Sequence, residues 1–322
     1  MKTLLIEDKF YQKICSQLNK NIIEITKSKR EIINQAVEDL ISGGGKKLRP
    51  FLMFLAASFG DYDREELLQL GSGIEILHMA SLVHDDIIDN AELRRGNKTA
   101  QKRFGKKKAV FIGDFLLSRT FDIFFDYLDK DTLRKMNKNV RLLCEGEIEQ
   151  SEKRFDFQIS LRDYYRRIRH KTALLFALSS YLGAYVSGLR GKRLNLLYKL
   201  GLEIGMAFQI QDDLLDFEGD EKNTGKILAQ DLKEGIITLP VILLLNKSKY
   251  RNKYAVYNKK ALDDQVTNEI IADVKDSNVL TESREILLIF IKRVKKYLAQ
   301  LPENKAKKKL EKLIQVQVER KF

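Results

Sequence analysis

The sequence has no tryptophan, three prolines and two cysteines among its 322 residues. Proline is scarce while Leu, Ile, Lys and Glu are abundant, so the composition favours long helices over strands, and we predict an all-α fold. Cys15 and Cys144 provide no disulfide framework, which is typical of proteins from a reducing cytosol. No apolar run approaches the roughly 20 residues of a transmembrane helix.

Export signals and several kinds of catalytic site are absent as well. Glu7 and Asp8 break the apolar run at the start of the chain, which excludes a signal peptide, so we expect a cytoplasmic protein. There is no Ser-His-Asp or Cys-His set, no zinc-ligand spacing and no phosphate loop of the Walker type. No shift in composition marks a boundary, and we predict a single domain over residues 1–322.

Positive charge is in excess, with 58 Lys and Arg against 45 Asp and Glu and a net charge of +13. This balance suggests anionic partners, which include nucleic acid, a membrane surface and phosphorylated small molecules. The lysine-rich segments mostly lack interleaved aromatics and any nucleic-acid-binding motif, so we expect them to form a solvated surface. We therefore predict no nucleic-acid partner and at most peripheral contact with a membrane.

Hydrophobic periodicity predicts helices over residues 65–89, 164–189 and 194–217. Residues 246–262 are polar and lysine-rich, and we predict an exposed linker there. The helix over residues 65–89 is apolar nearly all round, which predicts burial in the centre of a bundle. Glu75 and His78 are polar exceptions within it. A buried, hydrogen-bonded histidine would be the ordinary interpretation of His78 alone, but the aspartates that follow favour a functional one.

Two acidic motifs of the same form follow such apolar helices, DDIID at residues 85–89 and DDLLD at residues 212–216. On a helix, the first and last aspartates of each motif project from one face about one turn apart, where like charges repel. Hard divalent cations with oxygen ligands relieve this repulsion. If the two motifs face each other, they form a cage of up to six carboxylates that needs several such cations.

Basic side chains accompany the acidic motifs, several of them next to glycine turns. They are Lys46, Lys47, Arg49, Arg94, Arg95, Lys171 and Lys226. Arginine binds phosphate bidentately and lysine serves as a point charge, so the set indicates a site for one or more diphosphates. The remaining buried side chains are apolar, and the rest of the ligand should be hydrocarbon.

A series of motifs runs in a fixed order over about residues 40 to 240. It comprises GGKKLRP at residues 44–50, LHMASLVHDDIID at 77–89, RRG at 94–96, GDFL at 113–116, KT at 171–172 and FQIQDDLLD at 208–216. This series resembles that of the trans-isoprenyl (polyprenyl) diphosphate synthases.

The resemblance implies a terpenoid-synthase-type helical bundle around a central hydrophobic cavity, usually as a homodimer. It also implies head-to-tail condensation, in which an allylic diphosphate ionises, isopentenyl diphosphate attacks the cation and a proton is lost. The implied cofactor is Mg²⁺, about three ions per active site.

The family pattern assigns roles to residues that match its motifs. The implied metal ligands are Asp85, Asp89 and Asp212, with Asp86 and Asp216 in support. The implied contacts of the allylic diphosphate are Arg94, Lys171 and Lys226, and those of isopentenyl diphosphate are Lys46, Arg49, His78 and Arg95. The groups that steady the departing diphosphate and the cation are Lys171, Thr172 and Gln209.

Product length is expected to depend on Ala80, which lies five residues before Asp85 and lines the cavity in this family. A small side chain there, with Leu77 and Ser81 beside it, leaves room for a product of roughly C30 to C50. Ala80 is also consistent with close helix packing alone. A shorter synthase, with a product of roughly C15 to C20, is the alternative.

Ile236 departs from the family pattern, because most relatives carry a lysine after the glycine at this point. The change removes one potential phosphate contact, and some subunits of two-component hexa- and heptaprenyl synthases vary there. A catalytic large subunit that needs a small partner protein is therefore a second alternative. A terpene cyclase would not need a second diphosphate site, and a silent regulatory subunit usually lacks one aspartate motif.

Overall fold

The structure, a computed structural model, describes residues 8–218 and 228–318. Helices make up nearly all of its regular structure, and the strands within these residues are confined to one hairpin. The prediction of an all-α fold is therefore confirmed. Among the same residues, no helix combines the length and the apolar composition that crossing a membrane requires.

The chain over residues 8–127 forms helices and a short hairpin. They are α1 (Lys9–Ile25), α2 (Glu31–Ser42), α3 (Leu48–Ala57), α4 (Arg64–Ile88), the strands β1 (Leu93–Arg94) and β2 (Asn97–Lys98), α5 (Ala100–Phe104) and α6 (Lys106–Tyr127).

The described chain beyond residue 129 continues as helices of different lengths. They are α7 (Lys130–Glu152), α8 (Leu161–Ile168), a π-helix (Arg169–Ala173), α9 (Leu174–Val186), α10 (Gly191–Glu218), α11 (Gln230–Lys233), α12 (Leu239–Asn246), α13 (Ser248–Tyr254), a 3-10 helix (Ala255–Tyr257), α14 (Asp264–Asp276), α15 (Val279–Leu298) and α16 (Lys305–Val318).

The described chain divides into two compact units. One contains the chain up to Met136 together with Ser179–Asn195, and the other contains Asn137–Leu178 and the chain from Leu196 onward. The first acidic motif belongs to the first unit and the second motif to the second unit. A single domain over residues 1–322 stays a prediction.

Helix α4 carries the first motif at its end. Its first turn is stabilised by the N-cap Asp63, whose carboxylate accepts a hydrogen bond from the backbone N–H of Glu66 at 2.8 Å. Most residues between Leu67 and Ala80 are buried, as predicted, and α4 packs extensively against α6. The apolar body of the helix therefore lies in the core of the first unit, and its acidic end lies beyond that core.

The strands β1 and β2 form a hairpin that presents two adjacent arginines. Arg94 pairs with Asn97 across the hairpin, so the turn consists of Arg95 and Gly96. Both turn residues have positive φ, 52° and 85°, as the tightest hairpin turns require, and glycine accommodates this freely. For Arg95 the left-handed conformation costs roughly 1–2 kcal/mol. Arg94 thus lies on a strand while Arg95 lies on the turn.

The helix predicted over residues 164–189 is present, because the chain is helical without a break from Leu161 to Val186, and it contains the π-helix Arg169–Ala173, which an apolar stripe does not reveal. One sequence prediction of local structure was wrong. The linker predicted at 246–262 contains α13 and the 3-10 helix instead. Tyr254 anchors this segment, because its ring is buried and its hydroxyl donates a 2.5 Å hydrogen bond to Asp273. The lysines there cover the exposed side of an ordered segment.

Candidate active site

The first motif occupies the last turn of α4. Asp85 and Asp86 belong to the helix, and Asp89 is its C-cap residue, with φ −86° and ψ 1°. The C-terminal end of a helix carries partial negative charge, so three carboxylates here repel both one another and the helix dipole. A cation at this end of α4 would relieve both repulsions.

The middle aspartate of the first motif has a partner inside the protein. Arg94 Nε donates to Asp86 Oδ1 at 2.7 Å, and the Asp86 side chain is 3% exposed. Burial raises the pKa of Asp86, and the neighbouring guanidinium opposes the rise. Asp85 and Asp89 are half-buried. The outer pair of carboxylates is therefore more accessible than the middle one.

The second motif, on α10, repeats this arrangement with different partners. Asp213 is buried and accepts hydrogen bonds from the Tyr164 hydroxyl at 2.7 Å and from Gln209 Nε2 at 2.8 Å. Asp212 and Asp216 are half-buried. The middle aspartate is again held by the protein, and the outer pair again lies closer to solvent.

Carboxyl groups of the second unit are concentrated near this motif. Asp216 accepts hydrogen bonds from the backbone N–H groups of Gln230 and Asp231, both at 3.2 Å. Burial raises the pKa of Asp213 to about 6 and that of Asp216 to about 7, and the charge of Asp231 adds to the rise at Asp216. Burial also raises the pKa of Asp231 to about 7. A divalent cation nearby would favour the ionised forms of these groups.

The donor chemistry of both motifs fits Mg²⁺. The outer aspartates supply hard oxygen ligands, and Mg²⁺ is typically bound by one or two carboxylates together with substrate phosphates and water. Within the described residues, no three His, Cys, Asp or Glu side chains are arranged to hold a metal ion.

Basic residues of the first unit gather at the start of α3. Lys46 precedes the helix, and its carbonyl accepts a 2.6 Å hydrogen bond from the Tyr11 hydroxyl, which ties the turn to α1. Lys47 is the N-cap residue, buried and in the left-handed region with φ 40°. Arg95 donates to the carbonyl of Gly44 in the same turn. The site therefore combines fixed positive charges with the electropositive end of a helix.

His78 faces the same charges from α4. Desolvation lowers the pKa of His78 well below its ordinary value, and Arg49, Arg95 and Arg94 lower it further. The imidazole is therefore neutral near pH 7 and can donate a hydrogen bond without adding charge. Four residues that the sequence assigned to one substrate, Lys46, Arg49, His78 and Arg95, thus lie in one part of the first unit.

A small pocket of about 40 Å³ lies beside the hairpin arginines. Its lining combines the basic side chains Arg94, Arg95 and Lys98 with the carboxyl groups of Asp39 and Asp86 and with apolar side chains of α2 and α4. The basic residues of the hairpin therefore border a cleft of mixed charge.

The π-helix presents the Lys171-Thr172 pair in the second unit. Lys171 Nζ lies 3.0 Å from Glu147 Oε2, so the lysine has the anionic partner that its apolar surroundings require. The Thr172 hydroxyl donates to Gln209 Oε1 at 2.7 Å. Because Gln209 also bonds Asp213, a continuous network joins the π-helix to the second motif. Lys171, Thr172 and Gln209 are therefore brought together.

The residues expected to govern product length lie on α4 below the first motif. Ala80 and Leu77 are buried, at 2% and 6% exposure. The Ser81 hydroxyl donates a 2.8 Å hydrogen bond to the carbonyl of His78, so its donor is satisfied within the helix. Their effect on product length stays a prediction. Lys226 lies outside the described residues.

Some residues of the site were not assigned from the sequence. Asp213 and Tyr164 form a buried pair, Glu147 balances Lys171, and Glu75 lies among the cations of the first unit. The break in the apolar pattern of α4 marks Glu75. The DDLLD motif includes Asp213 but does not reveal its burial, and for Tyr164 and Glu147 the sequence carries no comparable signal, since their partners are distant in the chain.

With this geometry in place, the chain can be compared with known proteins. A family model described as Polyprenyl synthetase matches residues 30–274, well over half of the chain. The chain belongs to this family. The family assignment and the all-α fold agree with the resemblance seen in the motifs.

Three relatives show how far the similarity extends. The chain is 33% identical over 305 residues, 95% of its length and 87% of the relative's, to heptaprenyl diphosphate synthase component 2 of Bacillus subtilis. It is 36% identical to the component of the same name in Geobacillus stearothermophilus, over 85% of this chain and 86% of that one. A crystal structure of heptaprenyl diphosphate synthase from Staphylococcus aureus superposes with a TM-score of 0.92 at 30% identity, covering 96% of this chain and 98% of that one. This polyprenyl synthetase is a prenyltransferase.

Proposed function

We propose that the chain catalyses the Mg²⁺-dependent head-to-tail condensation of isopentenyl diphosphate with an allylic diphosphate, and that its product is an all-trans polyprenyl diphosphate of roughly C30 to C50. The observation that carries the proposal is the shared design of the two acidic motifs. In each, the outer aspartates are accessible and the middle one is buried against an internal partner. Two complete motifs suit a synthase better than a silent subunit.

The proposed metal ligands are Asp85, Asp89, Asp212 and Asp216. Mg²⁺, when bound, offsets the charge of the allylic diphosphate and makes it a better leaving group. Asp86 supports the site by orienting Arg94, whose guanidinium is directed at the same diphosphate.

The remaining residues act on the two substrates directly. Lys171 stabilises the departing diphosphate, and the dipoles of Thr172 and Gln209 steady the allylic cation. Lys226 is a further proposed contact of the allylic diphosphate. Lys46, Arg49, Arg95 and neutral His78 hold isopentenyl diphosphate with its double bond toward the cation. The apolar surroundings exclude water that would quench the cation.

Proton loss completes the reaction. The carbon–carbon bond forms as the allylic carbon–oxygen bond breaks, and a proton leaves the condensed product. We assign this proton to the released diphosphate. An isotope-trapping assay tests this assignment. If mutation of an aspartate, histidine or lysine outside the proposed ligands blocked proton removal while ionisation continued, that residue would be the base instead of the diphosphate.

Product length is proposed to follow from the small side chain of Ala80. Ala80→Tyr should shorten the product toward C15 to C20, measured by chromatography of the dephosphorylated alcohols. Leu287→Met is a matched control, a conservative change at a buried position outside α4. An unchanged product distribution in a folded Ala80→Tyr protein would overturn the assignment.

A second candidate is the catalytic large subunit of a two-component hexa- or heptaprenyl synthase. Two relatives carry names that designate them component 2, and Ile236 stands where most of the family has lysine, which supports this candidate. In both candidates we propose a cytoplasmic homodimer, joined in the second by a small partner protein.

One experiment tests both candidates. Purified chain is incubated alone with isopentenyl diphosphate, farnesyl diphosphate and Mg²⁺, and the dephosphorylated products are sized. Products of roughly C30 to C50 support the self-sufficient synthase. A chain that binds both substrates but forms product only after a small partner subunit is added supports the two-component enzyme. A chain that forms no prenyl product in either arm contradicts the proposal.

A further inference from the structure

Glu75 is a buried acid with no role in the reaction as proposed above. It lies on α4 among apolar neighbours and is 7% exposed. Burying a carboxyl group is unfavourable unless it is neutralised or paired, so its presence needs a physical reason.

The surroundings of Glu75 supply that reason. Burial raises the pKa of its carboxyl group, and Lys47, Arg49 and Arg95 all oppose the rise. The three cations come from the turn before α3, from α3 itself and from the hairpin. Without a nearby anion, these cations would repel one another, most strongly at the buried Lys47.

Gly45 lies beside both Glu75 and Arg95. A β-carbon on Gly45 would lie 3.2 Å from Arg95 Nη1 and 3.9 Å from Glu75 Oε1. The carboxylate and the guanidinium therefore border the same small space beside the glycine turn. A side chain at residue 45 would crowd this space.

The proposed reaction makes a counter-charge at this place useful. After each condensation, the diphosphate of isopentenyl diphosphate remains attached to the lengthened chain and occupies the same cations. It must leave them before the next isopentenyl diphosphate can bind. A carboxylate that already interacts with the cations repels the diphosphate and lowers its affinity.

We propose that Glu75 is a positioning residue that competes with the substrate diphosphate for Arg49 and Arg95, and so promotes its release between rounds of elongation. This inference rests on the proposed function. Glu75 interacts electrostatically with these cations and acts on the substrate through them.

Direct binding tests the competition without catalysis. Isopentenyl diphosphate is titrated calorimetrically into wild-type protein and Glu75→Gln, without allylic substrate or metal. We expect the variant to bind about tenfold more tightly, because one of two like charges is gone. Glu75→Asp, which keeps the charge, should stay within about twofold of wild type. Glu65→Gln, at an exposed position of the same helix, is the control.

Glu75→Met is a second neutral variant in case the glutamine protein does not fold. Equal or weaker binding by a folded neutral variant would overturn the proposal, since a purely structural role predicts no gain in affinity.

Elongation supplies a second readout. In a time course of Glu75→Gln with farnesyl diphosphate, isopentenyl diphosphate and Mg²⁺, the first addition should stay within about threefold of wild type. Later additions, which require the diphosphate to move, should slow about tenfold, so short products accumulate. Equal slowing of all additions would contradict the role in release. If wild-type protein binds isopentenyl diphosphate but forms no product, the proposed function fails while the binding result for Glu75 still stands.

Discussion

The two acidic motifs share one sequence pattern but lie in different electrostatic surroundings. In the first unit, the middle aspartate, Asp86, is paired with a cation, the guanidinium of Arg94. In the second unit, the middle aspartate, Asp213, is held by the neutral donors Tyr164 and Gln209. The guanidinium of Arg94 offsets the charge of Asp86 through a direct hydrogen bond, whereas the hydrogen bonds to Asp213 come from neutral groups. Burial raises the pKa of Asp213, and Arg167 opposes the rise by charge alone.

This difference suggests that the two motifs have different roles. Arg94 is both the partner of Asp86 and a proposed contact of the allylic diphosphate, so the first motif couples metal ligands to substrate recognition. The second motif carries more uncompensated negative charge, with Asp231 close to Asp216. It therefore has the greater need for a metal ion.

The largest expected effect is the loss of kcat when an outer aspartate of either motif is replaced. Asp85→Asn and Asp212→Asn each remove a proposed Mg²⁺ ligand, and kcat should fall by about 10³-fold, comparable to the loss of one strong electrostatic contact to a transition state. Steady-state kinetics at saturating Mg²⁺ measure this. Asp264→Asn, at an exposed position on α14, should leave kcat unchanged. Retention of activity within tenfold in both outer variants would remove these residues from the metal site.

Tyr164→Phe tests the neutral partner of the second motif. It removes one hydrogen bond to a buried carboxylate and should lower the free energy of unfolding by about 1.5–3 kcal/mol. Urea denaturation of metal-free protein measures the change. Tyr165→Phe, one residue along α8 and only half-buried, is the matched control and should change it by less than about 0.5 kcal/mol. An equal loss of unfolding free energy in Tyr164→Phe and Tyr165→Phe would show that the hydrogen bond to Asp213 adds no measurable stability.

Asp86→Asn tests the cationic partner of the first motif. Arg94 would lose its ion pair and its fixed orientation, so KM for the allylic substrate should rise about tenfold, with a smaller change in kcat. Asp122→Asn, which breaks an exposed ion pair with Arg119, is the control. A pure loss of kcat with unchanged KM would instead assign Asp86 to the metal site.

The smallest effect is a pH dependence confined to the second motif. The pKa of Asp216 is raised to about 7 from 3.8, so the folded state binds this proton more tightly than the unfolded state. The stability that the proton contributes is present at low pH and is lost as pH rises through about 7. In EDTA, Tm should therefore increase by about 1 °C from pH 8 to pH 6.5.

Asp216→Asn should reduce this increase, with Asp231 still titrating, and Mg²⁺ with inorganic diphosphate should reverse it by favouring the ionised forms. Differential scanning calorimetry of wild type and Asp216→Asn at both pH values measures the change in Tm. A Tm that rises equally in the variant would assign the titration to other groups.

Helical spacing made the acidic motifs predictable. The outer aspartates of each motif are four positions apart, which places Asp85 with Asp89 and Asp212 with Asp216 on common faces. The apolar run of α4 likewise predicted its burial. The roles of the basic residues of the first unit came from the resemblance of the motif series to a known family.

The remainder depends on contacts between distant residues. The π-helix that presents Lys171 and Thr172 leaves no mark in the apolar pattern, and Tyr164 lies 49 residues from Asp213. Asp86 was grouped with the metal ligands and Asp213 was not, although burial makes the two equivalent. The segment at residues 246–262 was misjudged, because its lysines hide the single buried anchor, Tyr254.

The most direct test counts metal ions. Mn²⁺ bound in the presence of an unreactive thio analogue of the allylic diphosphate is measured by electron paramagnetic resonance for wild type, Asp212→Asn and Asp213→Asn. If the outer aspartates bind metal, Asp212→Asn should bind fewer ions than wild type. If the middle aspartate instead accepts hydrogen bonds from Tyr164 and Gln209, Asp213→Asn should bind the wild-type number. The reverse, a full complement in Asp212→Asn and a loss in Asp213→Asn, would contradict this assignment.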